Sequence, residues 1–446
     1  MSGIHFLPIL PPSLQPLPNT LRTLHLTSCK LGDISMIGKL RNLEILSFCG
    51  SQIVEIPSNI AELTRLTLLD LKNCKNLINI AADISKLPDL EKLYLPEYFE
   101  FANLVGLNSS SRLTCLQIFI SIHHLIPIDQ NLLPLDLLQL AQKLTSFNIT
   151  ISSSEERYKP YVRMGSLRIW HEGPIQPLLS DWVKLLLEKT KHLVLDGLKN
   201  SNDIFSELSE EGFNELNSLE LNRLKGTEYL VNTKESAPQM AFSSLEVLSL
   251  SSLRSFIEIC PGQLPDKSFH NVRELHGDEC DQLLLQGLVR LKYLDVSVCD
   301  SLEVLFGHDD EQDAEIAVPC LRSLTCCYKL QNVIEDKKGK QEATSVEFPC
   351  LSSISLIHLY KLKSFCTGCY TIKWPSLEML HIHYCFEMET FGYGDQVTPQ
   401  LKKTVKYESE GKEIVITING GDLNHIVQNH FRPKAATLEA GPSQSS

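Results

Sequence analysis

One short motif returns along most of this chain, and it leaves few folds open. L-R-T-L-H-L-T-S-C begins at Leu21, L-E-I-L-S-F-C-G-S at Leu43, L-T-L-L-D-L-K-N-C at Leu66 and L-E-K-L-Y-L at Leu90. L-T-C-L-Q-I follows at Leu113 and L-T-S-F-N-I at Leu144, with weaker copies at Met164 and Thr190. Further copies begin at Leu216, Leu245, Val272, Leu291, Leu321, Leu351 and Leu377. The total is about fifteen, a self-similarity that must be explained before any local pattern. The first four intervals are 22, 23, 24 and 23 residues, and later ones range from 19 to 31.

This spacing is L-x-x-L-x-L-x-x-N/C, the leucine-rich-repeat signature. Residues four and six of each copy lie two apart, so in a short strand both side chains point to one face. Stacking the copies side by side merges those leucines into one continuous core. The expected fold is therefore an α/β solenoid: a leucine-rich-repeat horseshoe, with a parallel sheet on the concave face and short helical or irregular convex segments. The I-V-E-I-P step at 53–57, followed by S-N-I-A-E-L, fits such a convex return, and W-V-K-L-L-L-E at 182–188 fits a helical turn or two. Residues 1–397 are assigned to the solenoid, irregular over 150–215, where T-I-S-S-S-E-E-R-Y-K-P at 150–160 breaks the rhythm. The alternation over 398–417 reads as two strands around a turn. Asp422 is expected to cap a short helix, making 398–432 a C-terminal cap and 433–446 a disordered tail. H-D-D-E-Q-D-A-E at 308–315 and E-D-K-K-G-K-Q-E at 335–342 read as exposed loops between strands.

Position nine holds cysteine in five copies: Cys29, Cys74, Cys280, Cys299 and Cys385. A small side chain there is expected to satisfy backbone groups of the neighbouring loop, which gives these thiols a structural role. C-T-G-C at 366–369 with His381, His383 and Cys385 has zinc-compatible ligand types, but Cys385 already has a repeat role and the histidines alternate with buried residues. Cys326 and Cys327 read as one outward and one inward strand residue. No metal or cofactor is assigned. No G-x-S-x-G or H-E-x-x-H spacing occurs, so the chain is not expected to be an enzyme.

The net charge is −13, the wrong sign for coating DNA or RNA and no aid to binding an anionic membrane. No window of about 18 residues is continuously apolar, so no membrane span is expected. The prolines at 8, 11 and 12 spoil the N-terminus as a secretory signal, and the 14 cysteines are too sparse for a disulfide scaffold. A cytoplasmic protein is expected. Binding is then expected on the sheet face away from the leucines, at positions five and seven. The candidates are Tyr94, Phe119, Arg168, Trp170, His276, Asp278, Asp295, His381 and His383, with Arg168 and Trp170 the leading pair because Arg and Trp are common interface anchors.

F-L-P-I-L-P-P-S-L-Q followed by L-R-T-L-H-L-T-S-C-K-L-G-D-I-S-M-I-G-K-L-R-N-L-E-I-L-S-F resembles the repeat region of plant intracellular immune receptors of the coiled-coil, nucleotide-binding, leucine-rich-repeat class. W-P-S-L-E-M-L-H-I-H-Y-C-F-E-M-E-T-F-G followed by T-P-Q-L-K-K resembles it too. The resemblance implies a defence-response module that binds a pathogen effector or a guarded host protein. In a complete receptor the repeats would also contact the nucleotide-binding domain. No G-x-x-x-x-G-K-S/T is present, so nothing here would cradle a nucleotide phosphate, and a truncated receptor is expected. Two other readings stay open: a repeat-type substrate adaptor of a ubiquitin ligase, for which residues 1–20 are a poor helical module, and a non-functional receptor fragment.

Overall fold

The computed structural model describes residues 5–9, 20–80, 82–96, 112–121, 136–153, 163–175, 178–199, 213–230, 242–253, 255–256, 269–279, 293–299, 302, 304–308, 321–336, 345–349, 351–368, 371–407, 413–417 and 421–427. Cys280, Cys369, the tail at 433–446 and most of the two charged insertions lie outside them. The chain divides into two compact units: Met1–Leu245 with Cys260–Ser268, and Glu246–Ile259 with Phe269–Ser446.

The first unit contains β1 (His5–Ile9), β2 (Thr23–His25), β3 (Cys29–Asp33), β4 (Ile45–Ser47), β5 (Glu55–Ile56), β6 (Leu68–Asp70), β7 (Asn79–Ile80), β8 (Lys92–Tyr94) and β9 (Cys115–Ser121). It continues with α1 (Asp136–Lys143), β10 (Ser146–Ser152), β11 (Ser166–Trp170), α2 (Asp181–Glu188), β12 (His192–Asp196) and β13 (Ser218–Asn222). β2, β4, β6 and β8–β13 form one parallel ladder, each strand beside the corresponding strand of the next repeat. The predicted convex returns are 3-10 turns at Ser35–Lys39, Ser58–Glu62 and Ala82–Lys86, preceded by the short parallel pair β5–β7.

The second unit contains β14 (Val247–Ser251), β15 (Glu274–Asp278), β16 (Tyr293–Ser297), β17 (Val304–His308), β18 (Leu321–Thr325), β19 (Asn332–Asp336), β20 (Ser345–Glu347) and β21 (Ser353–Ile357). Then come β22 (Ser364–Cys366), β23 (Thr371–Lys373), β24 (Met379–His383), β25 (Gln396–Val397), β26 (Lys403–Tyr407), β27 (Glu413–Thr417) and α3 (Leu423–Ile426). Its main ladder is β14–β15–β16–β18–β21–β24–β26, all parallel, with β27 added antiparallel. Two further parallel rows, β17–β19–β22 and β20–β23–β25, give the later repeats three extended sides. Between them Trp374 stacks on Phe348 at 4.2 Å and meets Phe365 edge-on at 5.3 Å. The Trp374 indole N–H donates to Gln396 Oε1 at 3.2 Å, so this buried polar atom is satisfied. Asp422 accepts from the Asn424 backbone N–H at 2.8 Å, the cap geometry its position implies. Each unit has the leucine-rich-repeat fold.

The motif works as its spacing dictates. In β24 the buried Leu380 and Ile382 alternate with the half-exposed Met379, His381 and His383. Among the described residues, eleven repeats then leave the sheet at position eight in the left-handed conformation. Ser28, Gly50, Asn73, Gly197, Arg223, Ser252, Glu279, Val298, Cys326, His358 and Tyr384 have φ from 50° to 79°. The position-eight N–H still reaches the next strand: Ser28 N donates to Cys49 O at 2.9 Å, and His358 N to His383 O at 2.8 Å. Position nine then turns inward. Cys74 Sγ donates to Phe48 O at 3.1 Å and Cys385 Sγ to Leu356 O at 3.5 Å, both carbonyls being position six of the preceding repeat. Ser51 Oγ makes the equivalent bond to Leu26 O. Cys29 and Cys299 donate instead to position seven of their own repeats.

Two expectations change. Cys326 and Cys327 are not strand residues. Val298 N donates to Thr325 O at 2.9 Å, which makes Thr325 position seven, so Cys326 is the left-handed residue and Cys327 the buried ninth. Leu321 pairs with Leu294 and so stands at position four rather than one, and the ladder carries an irregularity at Leu294/Asp295, where Arg322 is extra. Thr150–Ser152, read as part of a break, are the end of β10, with Ile151 and Ser152 buried. The irregularity is a register step: Thr150, at position seven, pairs with Arg168 at position five. A slip of two preserves which face each side chain takes, where a slip of one would turn the leucines outward.

The irregular stretch is also where true helices replace the 3-10 turns. α1 and α2 pack side by side over β9 and β10, enclosing a small apolar cavity lined by Leu116, Leu140, Trp182 and Leu186. The Lys189 ammonium donates to the carbonyls of Ala141 (3.0 Å), Gln142 (3.0 Å) and Leu144 (3.3 Å), satisfying the C-terminal end of α1 where a cation also suits the helix dipole. Lys189→Met is expected to lower stability by about 1–2 kcal/mol in urea unfolding. Val298 is a β-branched residue at φ 52°, a conformation that costs about 1–2 kcal/mol for most side chains. Val298→Asn, which tolerates that region, is expected to shift the urea midpoint upward.

Candidate protein-binding surface

Positions five and seven project from the open face of the ladder, away from the leucines. In the first unit Tyr94 stands half-buried there. Lys72 Nζ lies 4.6 Å from its ring centroid, and Cys115 Sγ donates to its hydroxyl at 3.5 Å. Burial, with Cys115 and Asp70 adjacent, pushes the phenol up to about 12.

Phe119 corrects the expectation that every candidate faces solvent: it is only 6% exposed. β9 and β10 are seven-residue strands, and the same-face residues Asn148, Thr150 and Ser152 on β10 are buried too. The open face is therefore closed to solvent around Phe119 and β10, while Gln117 on β9 stays half-exposed.

Arg168 and Trp170 emerge just beyond, half-buried on β11. Pairing places Trp170 opposite Asp196 on β12, and Asp196 opposite Asn222 on β13. Arg223 follows at position eight, and its left-handed backbone turns the guanidinium back over the sheet. Arg223 Nε donates to Asp196 Oδ1 at 2.8 Å, and the guanidinium carbon lies 5.5 Å from the Trp170 ring centroid. Burial pushes the Asp196 carboxyl above its ordinary value, opposed by Arg223 and Arg168. Val194, between them, is buried. Arg168 and Trp170 were legible in the sequence; Asp196, itself at position seven, was not singled out, and Arg223, at position eight, lies outside the positions five and seven from which candidates were drawn.

In the second unit His276, Asp278 and Asp295 come together. His276 Nδ1 is 3.1 Å from Asp295 Oδ2, and its Nε2 is 3.8 Å from Glu274 Oε2. Asp278 accepts from Ser297 Oγ at 2.6 Å and from Ser251 Oγ at 3.4 Å. His381 and His383 both stand on β24, and His383 lies among aromatic rings. The His383 ring is 3.7 Å from Tyr384 and 5.6 Å from His358. Burial holds the His383 imidazole below its ordinary value, and the charge of His358 adds to that. At position ten, Tyr328 stacks on Tyr360 at 5.4 Å and Tyr360 on Phe386 at 6.0 Å, a ladder of rings each at least 40% exposed. The clue was present as Y-K-L, Y-K-L and F-E-M after the position-nine residue, but no leucine periodicity points to it.

Cys74, Cys385 and Cys327 are held in the protonated form, which disfavours metal binding and nucleophilic attack at these three. Burial pushes Cys74 up to about 11 and Cys385 up to about 12, while Cys327 is raised by its contact with Cys299 and by burial. Cys366 is buried in β22, and no three His, Cys, Asp or Glu side chains are placed to hold a metal among the described residues.

Residues 244–391 match the family described as plant disease resistance protein RPS2-like, leucine-rich repeats. This stretch is similar to the leucine-rich repeats of plant disease resistance proteins. It is 33% identical over 99 residues to disease resistance protein RPS4B of Arabidopsis thaliana, a match covering 21% of this chain and 8% of that protein. It is 43% identical over 54 residues to disease resistance-like protein DSC1 of the same plant, covering 12% of this chain and 4% of that one. The matched parts are thus a small share of either relative's length. A leucine-rich-repeat protein of Leptospira interrogans aligns over 86% of this chain and 88% of its own at 15% identity and a TM-score of 0.39. Among the described residues no helix is long and apolar enough to cross a membrane.

Arg223→Gly separates two opposing effects at the Trp170 cluster. It relieves a strained φ but leaves the Asp196 carboxylate buried without its partner, at a cost of about 1–3 kcal/mol. The variant is expected to be less stable than the parent at pH 7. Because burial raises the folded-state pKa of Asp196, that deficit should shrink as pH falls through it towards the unfolded value. Asp196→Asn in the Arg223→Gly background should restore neutral-pH stability; continued loss would assign the effect to the backbone.

Proposed function

We propose that this chain is a non-enzymatic recognition module of plant innate immunity, acting in the cytoplasm. Its open, concave face would bind a pathogen effector or a guarded host protein. The observation that carries the reading is the contrast between the two faces of one ladder. The inward face repeats leucine at positions four and six. The open face changes from repeat to repeat, with Tyr94, Arg168, Trp170, His276, Asp295 and His381 at five or seven. A scaffold with uniform core positions and unlike surface positions is suited to selecting one partner. The match of residues 244–391 to resistance-protein repeats and the plant relatives support the defence setting. Residues 398–432 are read as the cap: β27, antiparallel to β26, ends the parallel ladder there.

Site-specific photo-crosslinking tests the assignment. A photoreactive phenylalanine analogue at Tyr94, Arg168 or His381, exposed to leaf extract, is expected to capture the same plant protein from more than one position. The analogue at Val54 or Ile78, which are 55% and 73% exposed beside β5 and β7, should not. Equal capture from both sets would place recognition elsewhere.

A further inference from the structure

Two position-eight side chains of the second unit meet as a thiol and an imidazole. Cys326 follows β18 at φ 56°, and His358 follows β21 at φ 54°. Ladder bonds hold both backbones: Cys326 N donates to Ile357 O and His358 N to His383 O, each at 2.8 Å. The two left-handed turns bring Cys326 Sγ to 3.5 Å from His358 Nδ1, and both residues are half-exposed. Tyr384 stacks on the imidazole at 4.9 Å and Tyr360 meets it edge-on at 6.0 Å, which fixes the ring. His383, 5.6 Å away, is held below its ordinary value by burial and by the charge of His358, so it stays neutral and does not oppose a proton on His358. Lys361, next to Tyr360, is paired with Glu387 at 2.8 Å. Among the described residues the other half-exposed thiols are placed differently. Cys29 donates to Thr27 O at 3.4 Å, and burial with the charge of Asp70 pushes Cys49 up.

We propose that Cys326 is a modification site, a thiol activated by His358 that forms a mixed disulfide with a low-molecular-weight disulfide. An imidazole within hydrogen-bond reach of a partly exposed thiol is the arrangement that supplies a thiolate near neutral pH. His358 Nδ1 takes the thiol proton as Cys326 Sγ attacks one sulfur of the small disulfide. The new S–S bond to Cys326 forms, the small molecule's own S–S bond breaks, and the departing thiolate takes the proton from His358. One thiol and one disulfide become another thiol and another disulfide, so the exchange needs no further oxidant. The neighbouring Cys327 does not compete, because it is buried and held protonated. The adduct stands beside the exposed rings of Tyr328 and Tyr360, which stack at 5.4 Å, so the exchange alters this aromatic rim.

Time-resolved peptide mapping by mass spectrometry, with the full chain in oxidised glutathione, tests this. At pH 7 the peptide holding Cys326 is expected to gain glutathione about tenfold faster than those holding Cys29 or Cys49, a comparison that needs no variant. Cys326→Asn, which tolerates the left-handed backbone, should abolish that adduct. His358→Asn should slow it about tenfold at pH 7, with Cys74 and Cys385 still unlabelled as they are in a folded chain. Between pH 8 and pH 7 the rate should fall by less than about threefold in the parent and by about eightfold in His358→Asn, where only the thiolate of an unaided cysteine reacts. Equal rates at Cys326 and Cys29, an adduct that persists in Cys326→Asn, or an unchanged rate and pH profile in His358→Asn would each overturn the proposal. Should His358→Asn also label at Cys74, the ratio of Cys326 to Cys29 in the parent decides alone.

Discussion

The left-handed turn at position eight is the constraint on which the rest of the molecule depends. A repeat must end its strand, keep its last ladder hydrogen bond and still bring the next side chain into the core. One residue at φ near 55° does all three, as Ser28 and His358 show through their bonds to Cys49 and His383. Position nine then supplies a donor to a carbonyl that the turn would otherwise strand in the interior. A thiol or a hydroxyl serves equally, which is why Cys74, Cys385 and Ser51 occupy equivalent places. Burial keeps these thiols protonated, and a protonated thiol is the form that can donate.

The same turn shapes the candidate surface. Some position-eight side chains meet one another across repeats: Ser252 Oγ donates to Glu279, and Cys326 Sγ lies 3.5 Å from His358 Nδ1. In Arg223 the strained backbone aims a guanidinium across the sheet, onto Asp196 and over Trp170. The local cost of φ 53° is offset by pairing a carboxylate that burial has made expensive to ionise. In the second unit the position-eight residues His358 and Tyr384 instead join an aromatic row with His383. One backbone device thus presents a charged cluster in one unit and rings in the other, over the same leucine frame.

Much of this was legible from residue order alone, because the period of the leucines is the period of the structure. The strand positions, the inward pair at four and six, the returns after I-V-E-I-P, the role of Cys74 and the helix at 182–188 all follow from spacing and side-chain alternation. Of the residues that carried the resemblance to resistance-protein repeats, Trp374–Phe391 fall inside the matched stretch 244–391 and those at 6–48 lie outside it. Legibility failed where register departed from leucine spacing. Cys326 and Cys327 were misplaced because Leu321, taken as position one, pairs at position four. Arg168 was assigned to position five correctly, yet its neighbour in space is Thr150, a position-seven residue.

The sequence by itself determined the repeat, the parallel ladder, the face that carries the core and the set of residues that can face outward. These are set by alternation within a strand, a local property that any single copy displays. Only tertiary structure decided which outward residues are accessible and which meet. Phe119 has the same pattern as Trp170, but β9 and β10 are longer and the open face is buried around Phe119. Trp170, Asp196 and Arg223 lie far apart in the chain and become neighbours through strand pairing and one left-handed residue. Accessibility and neighbourhood depend on strand length and register between repeats, and those are fixed by the packing of one repeat on the next.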